Sequence, residues 1–296
     1  MRTMRGSQAA LVLTSAVLFG LSACVPVARP TLPVTPSPQP LTSPAPLTAA
    51  PLSPLTPSPI ADCFTIPGQI EADSVLSQHL PNPLKFLIYL PPCYVEHAGQ
   101  RYPVLYLLHG QTYSDDQWVR VGAPAASDRL IAAGEVPPFI MVMPYDPSWK
   151  QPREYGFAEA LTEDLIPYVD AHYRTIPDRD QRAIGGLSRG AGWAIHFGLT
   201  RPDLFGAFGA HSPVVFWSDG PHIGDWLKAI PPESLPRIYL DIGDKDRELE
   251  AVLEFEDILN QQNIPHEWHL YAGFHEEAYW QAHVEKYMRW YAAGWR

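Results

Sequence analysis

The residues best placed to do chemistry lie in Arg182-Ala183-Ile184-Gly185-Gly186-Leu187-Ser188-Arg189-Gly190-Ala191-Gly192, which reads as a short buried strand, a sharp turn and the first turn of a helix. Within it Gly186-x-Ser188-x-Gly190 has the form of a nucleophile elbow. A serine lifted onto a strained strand-to-helix turn needs neighbours two residues away without side chains, because Cβ atoms there would clash. A serine hydroxyl is a poor nucleophile at neutral pH. It needs a general base in hydrogen-bond reach, and the base needs a carboxylate to fix its tautomer. In chains with such an elbow the acid and then the histidine follow the serine. Of the eleven histidines, His266, His269, His275 and His283 follow both the elbow and a later candidate acid. His266 and His269 fall in or beside a strand, and His283 falls mid-helix. His275 follows Tyr271-Ala272-Gly273-Phe274 in a loop beyond a strand end, where a base can hang over the sheet edge, and is the expected base. For the acid, the segment after Ile238-Tyr239-Leu240 offers Asp241, Asp244, Asp246 and Glu248. Asp241 is still on the strand. Gly243-Asp244-Lys245-Asp246 is a turn, and Asp246, just before a helix, is preferred over Asp244. The acid not used is a turn residue or helix cap.

Acyl transfer also needs donors for the developing oxyanion. The elbow resembles that of alpha/beta hydrolases, and the resemblance implies the backbone N–H of Arg189, after the nucleophile, and one from the loop after His109-Gly110, that of Gln111. Aromatic residues near the same loops are candidate walls for a sugar ring or a phenolic acyl group: Trp118, Tyr145, Trp149, Trp193 and Trp217. His211, at a strand end, is a further candidate lining residue. No His/Asp/Glu cluster has metal-ligand spacing, and no cofactor motif is present, so neither a metal nor a cofactor is expected.

These residues require a particular frame. Phe64 to Ile70 and Lys85 to Leu90 read as antiparallel opening strands. Val104 to Leu108 and Phe139 to Met143 are continuous apolar runs, the mark of strands covered on both faces. Ala207 to Ala210, Arg237 to Ile242 and Glu267 to Tyr271 read as further strands. Helices are expected near 125–133, over Phe157 to Tyr173 with a kink at Pro167, and over 190–200, 247–262 and 276–292. Residues 212–236 read as an irregular excursion. Buried strands alternating with helices predict an α/β fold with a mainly parallel central sheet and helices on both faces.

The chain has 296 residues, 46% of them apolar, enough for one large core. Residues 1–24 read as a targeting peptide. Arg2 and Arg5 precede an apolar run from Ala9 to Leu21, and Leu21-Ser22-Ala23-Cys24 resembles a bacterial lipobox, with Cys24 the lipidated residue; the alternative is an ordinary signal peptide and a secreted protein. Residues 25–60, rich in Pro, Thr, Ser, Leu and Ala with no acid, read as a disordered stalk of polyproline II character. Residues 61–296 are the expected catalytic domain. Residues 1–60 hold three arginines and no acid, so the domain carries 18 basic against 32 acidic residues, a net of −14. That excludes nucleic acid as a main partner and leaves the membrane only through the lipid anchor. Cys63 and Cys93 are an even pair in a disulfide-permitting compartment, able to pin the first strand to the second.

Leu105-Tyr106-Leu107-Leu108-His109-Gly110 with Trp118 resembles the oxyanion segment of the esterase D-like alpha/beta hydrolases. Leu165-Ile166-Pro167-Tyr168-Val169 with Tyr173-Arg174, Gly186-Leu187-Ser188, Arg201-Pro202-Asp203-Leu204-Phe205, Gly243-x-x-Asp246 and Gly273-x-His275 are similar to that group too, in the right order over roughly residues 63 to 293. The group includes feruloyl and acetylxylan esterases, enterochelin esterases, S-formylglutathione hydrolases and mycolyltransferases. One departure is Arg189-Gly190-Ala191, where the group commonly has Met-Gly-Gly or Arg-Gly-Gly; alanine is small enough for the elbow. The resemblance implies the alpha/beta-hydrolase fold and a serine carboxylesterase acting on small acyl or feruloyl esters of carbohydrate. Its alternatives are acyl transfer of the mycolyltransferase type, siderophore-ester hydrolysis, and a non-catalytic glycan-binding surface protein.

Overall fold

The computed structural model describes residues 63–295. The segments read as targeting peptide (1–24, with Cys24) and stalk (25–60) lie outside the described residues. Eight strands are formed: β1 Gln69–Val75, β2 Leu84–Leu90, β3 Val104–Leu108, β4 Ile140–Pro144, β5 Arg182–Leu187, β6 Ala207–His211, β7 Arg237–Gly243 and β8 Glu267–Tyr271. They join one sheet in the order β1-β2-β4-β3-β5-β6-β7-β8. β2 pairs antiparallel with β1 and β4, and every other pairing is parallel. β3, β4, β5 and β6 are buried at every position, as continuous apolar runs require.

The helices are α1 Gln117–Val121, α2 Ala123–Ala132, α3 Phe157–Glu159, α4 Ile166–His172, α5 Arg189–Thr200, α6 Ile223–Ala229, α7 Leu249–Gln261 and α8 Glu277–Ala292. They cover both faces of the sheet. Side chains alternate along a strand, so Val104, Tyr106 and Leu108 of β3 pack with Val169 of α4, Ile195 of α5 and Phe255 of α7. Leu105 and Leu107 point the other way and pack with Leu130 of α2 and Tyr287 of α8.

Four local expectations change. The first strand begins at Gln69, not Phe64. Cys63–Thr65 form a 3-10 turn, Pro67 has no N–H for a strand ladder, and Cys63 is disulfide-bonded to Cys93 with Cα atoms 5.1 Å apart. The Trp118 segment, grouped with the loop aromatics, is helix α1. The long helix over 157–173 is broken by a π-helical segment, Ala160–Leu165, immediately before Pro167 at the first turn of α4. Proline lacks the N–H and its ring crowds the carbonyl four residues back, and widening the turn upstream accommodates both. The 212–236 excursion contains α6 and two short 3-10 turns.

Candidate active site

β5 ends at Leu187, and α5 begins at Arg189. Ser188, between them, has φ 56° and ψ −117°, a sparsely populated conformation that surrounding structure must enforce. Its N–H donates to the His211 carbonyl at 3.0 Å, and its carbonyl accepts from Val214 N–H at 3.1 Å. The flanking glycines are a steric requirement. A Cβ on Gly186 would meet the Gly190 carbonyl carbon at 2.0 Å, and one on Gly190 would meet the Leu108 oxygen at 2.2 Å.

His275 lies past the end of β8. Its Nε2 is 2.8 Å from Ser188 Oγ, and its Nδ1 is 2.9 Å from both Asp246 oxygens. With Nδ1–H donating to the carboxylate, Nε2 is left to accept the serine proton. Asp246 follows β7. Burial alone would raise its carboxyl, but hydrogen bonds from His275, the Glu248 N–H and Ser212, with the His275 charge, hold it below the ordinary carboxylate value. Asp244, two residues earlier, accepts the Gly273 N–H at 2.9 Å and so ties the His275 loop to the β7 turn. Asp241 is fully buried and takes hydrogen bonds from His211, Tyr279 and Tyr287.

A cleft of about 440 Å³ opens over Ser188 and His275. Gln111 lies on its wall. The Gly110 N–H is committed to Gln117 Oε1 at 2.7 Å and is not free to meet an oxyanion. Arg189 opens α5, where first-turn N–H groups lack intrahelical acceptors. Trp149, 67% exposed, stands on the same wall.

Of the six expected lining residues Trp149 alone lines the cleft, and three of the others are core. Trp118 is fully buried, with Nε1–H donating to the Leu108 carbonyl at 3.0 Å. Trp193 is buried among Phe157, Phe197 and Phe216 and donates to Asp146. His211 is fully buried, stacked on Tyr287, with its nitrogens on Asp241 and the Tyr291 hydroxyl. In each case the face of the helix or strand that carries the residue turns into a core. Tyr145 is half-buried in a separate pocket, and Trp217 is exposed outside the cleft lining.

Tyr113, Val214, Arg247 and Trp280, none of them singled out by the sequence, also line the cleft, together with Glu248, one of the four candidate acids. Trp280 packs edge-to-face against His275 and donates to Ser212 Oγ at 3.2 Å. Its place one turn beyond the base was the available signal. Ser212, buried at φ 49°, and Gln117 had none. His109 donates Nδ1–H to the Gly110 carbonyl at 2.7 Å and accepts Asp146 N–H at Nε2. Burial lowers its pKa from the ordinary 6.5. Among the described residues the single metal-type grouping, Cys63, Cys93 and His97, is built on the disulfide cysteines. No described helix is long and apolar enough to cross a membrane.

A mainly parallel sheet between helical layers, with a serine on a strained turn after its fifth strand, defines an alpha/beta hydrolase. Residues 77–291 match the Esterase family, and the chain belongs to that family of enzymes. It is 33% identical over 172 residues to an endo-1,4-beta-xylanase/feruloyl esterase of Xylanibacter ruminicola, a match covering 54% of this chain and 22% of that protein's length. The chain thus spans only about a fifth of that curated relative. Among solved structures, a ferulic acid esterase superposes with a TM-score of 0.70 at 23% identity, over 77% of this chain and 98% of its own. A ferulic acid esterase of Anaeromyces mucronatus bound to ferulic acid superposes at 0.63 and 21% identity, over 78% and 93%. At these identities the structural likeness is one of fold.

Proposed function

We propose that this chain is a serine carboxylic-ester hydrolase that cleaves small acyl or feruloyl esters of carbohydrate. The observation that carries the reading is the unbroken line Ser188 Oγ to His275 Nε2 at 2.8 Å and His275 Nδ1 to Asp246 at 2.9 Å, on the floor of the cleft. Ser188 Oγ attacks the ester carbonyl as its proton passes to His275 Nε2. The oxyanion is met by the Arg189 and Gln111 N–H groups, and His275 returns the proton to the departing alcohol. Water, deprotonated by the same nitrogen, then opens the acyl-enzyme and releases the acid. Asp246 stays ionised and holds the imidazolium.

The feruloyl preference draws support from the Xylanibacter relative's name and from Trp149 on the cleft wall. Ser188→Ala should abolish hydrolysis of feruloyl, acetyl and p-nitrophenyl esters, and a fluorophosphonate should label the wild type alone. Retained activity in the variant would sink the assignment. Product analysis with and without a sugar acceptor separates hydrolysis from acyl transfer.

The Cys63–Cys93 disulfide supports an exported protein, and Leu21-Ser22-Ala23-Cys24 supports anchoring through a lipid on Cys24. Incorporation of a palmitate analogue in a bacterial host should be lost in Cys24→Ala.

A further inference from the structure

A second pocket, of about 300 Å³, opens beside the cleft, walled by Asn82, Pro83, Lys85, Tyr145, Pro147 and Tyr155. Strand register locates it. Leu108 of β3 pairs with Gly186 of β5, and Tyr106 pairs with both Ile184 and Val142, so Pro144 at the end of β4 is level with Gly186. Phe86 of β2 lies opposite Pro144, and the Tyr145 N–H donates to the Lys85 carbonyl at 2.9 Å. Tyr145 and Lys85 therefore stand at the same sheet edge as Ser188. At ~4.8 Å per strand, β4 is roughly 10 Å and β2 roughly 14 Å from β5.

The segment between pocket and cleft is a shared wall, with Tyr145 and Pro147 on one side and Trp149 on the other. It is fixed from beneath. Asp146 donates its N–H to His109 Nε2 at 2.9 Å and accepts from Trp193 Nε1–H at 2.9 Å and from Arg189 at 3.2 Å. Arg189 also donates to the Lys150 carbonyl at 2.7 Å. The residue after the nucleophile thus anchors the wall between the two pockets. One face of the Tyr145 ring rests on His109, with centroids 5.6 Å apart, which holds the ring in place.

We propose that this second pocket is a glycan subsite, taking a neutral sugar ring of the chain whose ester lies at Ser188. The proposal rests on the ester-hydrolase reading. A sugar ring has an apolar C–H face and a rim of hydroxyls. The tyrosine and proline rings match the first, and the exposed Asn82 amide and Lys85 ammonium match the second. Two pockets along one sheet edge suit a polymer of regular repeat, held at one unit and cleaved at another.

The test compares methyl ferulate with a feruloylated arabinoxylo-oligosaccharide, using the wild type, Tyr155→Ala and Asn82→Trp. The last variant fills the pocket from an exposed position and leaves the core intact. KM for the oligosaccharide ester should rise about tenfold in both variants, the size of one lost aromatic or hydrogen-bond contact, with methyl ferulate unchanged. Equal loss on both esters, or loss on neither, overturns the subsite. Calorimetric titration with an unesterified xylo-oligosaccharide separates the two readings. Binding abolished by Asn82→Trp in a protein that cleaves neither ester keeps the subsite and removes the hydrolase. Cleavage of methyl ferulate with sugar binding unaffected by Asn82→Trp removes the subsite alone. Competition between free ferulate and the xylo-oligosaccharide would make the occupant phenolic and refute the proposal.

Discussion

Replacing Gln117 with methionine removes the acceptor that holds the Gly110 N–H. Both residues are buried, so the stranded N–H costs about 1–3 kcal/mol. The same substitution removes Gln117 Nε2, a buried donor with no partner among the described residues, and this relieves a penalty of about 1–3 kcal/mol. Methionine fills a similar volume and leaves no cavity. The two terms oppose, and the expected change in unfolding free energy is within about 1 kcal/mol of zero. Activity should respond differently. The Gln111 N–H, the oxyanion donor of the proposed mechanism, adjoins the freed Gly110, and such a donor must sit about 2.7–3.1 Å from the developing charge. Losing such a donor outright costs about 10²–10³ in kcat, so misalignment should cost roughly 10- to 100-fold, with KM within about twofold. The assay is steady-state kinetics on a small acyl ester, with urea unfolding of the same preparation. An unchanged kcat, or a loss of stability with full activity per folded molecule, would refute the reasoning.

Ser212→Ala removes a hydroxyl shared by Asp246 and Trp280 and should destabilise the protein by about 1.5–3 kcal/mol. Ser212→Gly also relieves the strained φ of 49° and should be about 1 kcal/mol more stable than the alanine variant; equal stabilities would remove the strain argument. Burial lowers the His109 pKa below 6.5, so the unfolded chain takes the proton first. The stability from this group is complete above the unfolded value and is lost as pH falls toward the folded one. Thermal midpoints should therefore fall below pH 6.5, less steeply in His109→Gln; parallel curves would argue against it. Breaking the Cys63–Cys93 bond, which spans 30 residues, should cost about 3–4 kcal/mol by loop entropy, read as a lower melting temperature under reductant; an unchanged midpoint would show that the bond adds nothing.

The alternation of strands and helices was legible because burial on both faces writes a continuous apolar run into a strand, and that pattern is local. The first strand was misplaced because Phe64 and Ile66 look like strand residues. What ends that possibility is Pro67 together with a disulfide to a residue thirty positions away. The π-helical break before Pro167 lay in the sequence as a proline, but its form was not.

The sequence by itself determined the elbow, since its glycine spacing answers a clash between neighbours, and the chain order of serine, acid and histidine. It also confined the acid to one turn. Within that turn it preferred Asp246 to Asp244, and the tertiary structure supplies the contacts: Asp246 meets His275 while Asp244 bonds the Gly273 N–H. Tertiary structure alone decided that Trp149 faces the cleft while Trp118 and Trp193 are core. An indole is equally apolar in all three places. Which way it faces depends on how α1 and α5 pack across the sheet, a matter of contacts between segments far apart in the chain. The same holds for the 2.8 Å between Ser188 and His275, 87 residues apart, which exists because β6 and β7 set the spacing between β5 and β8.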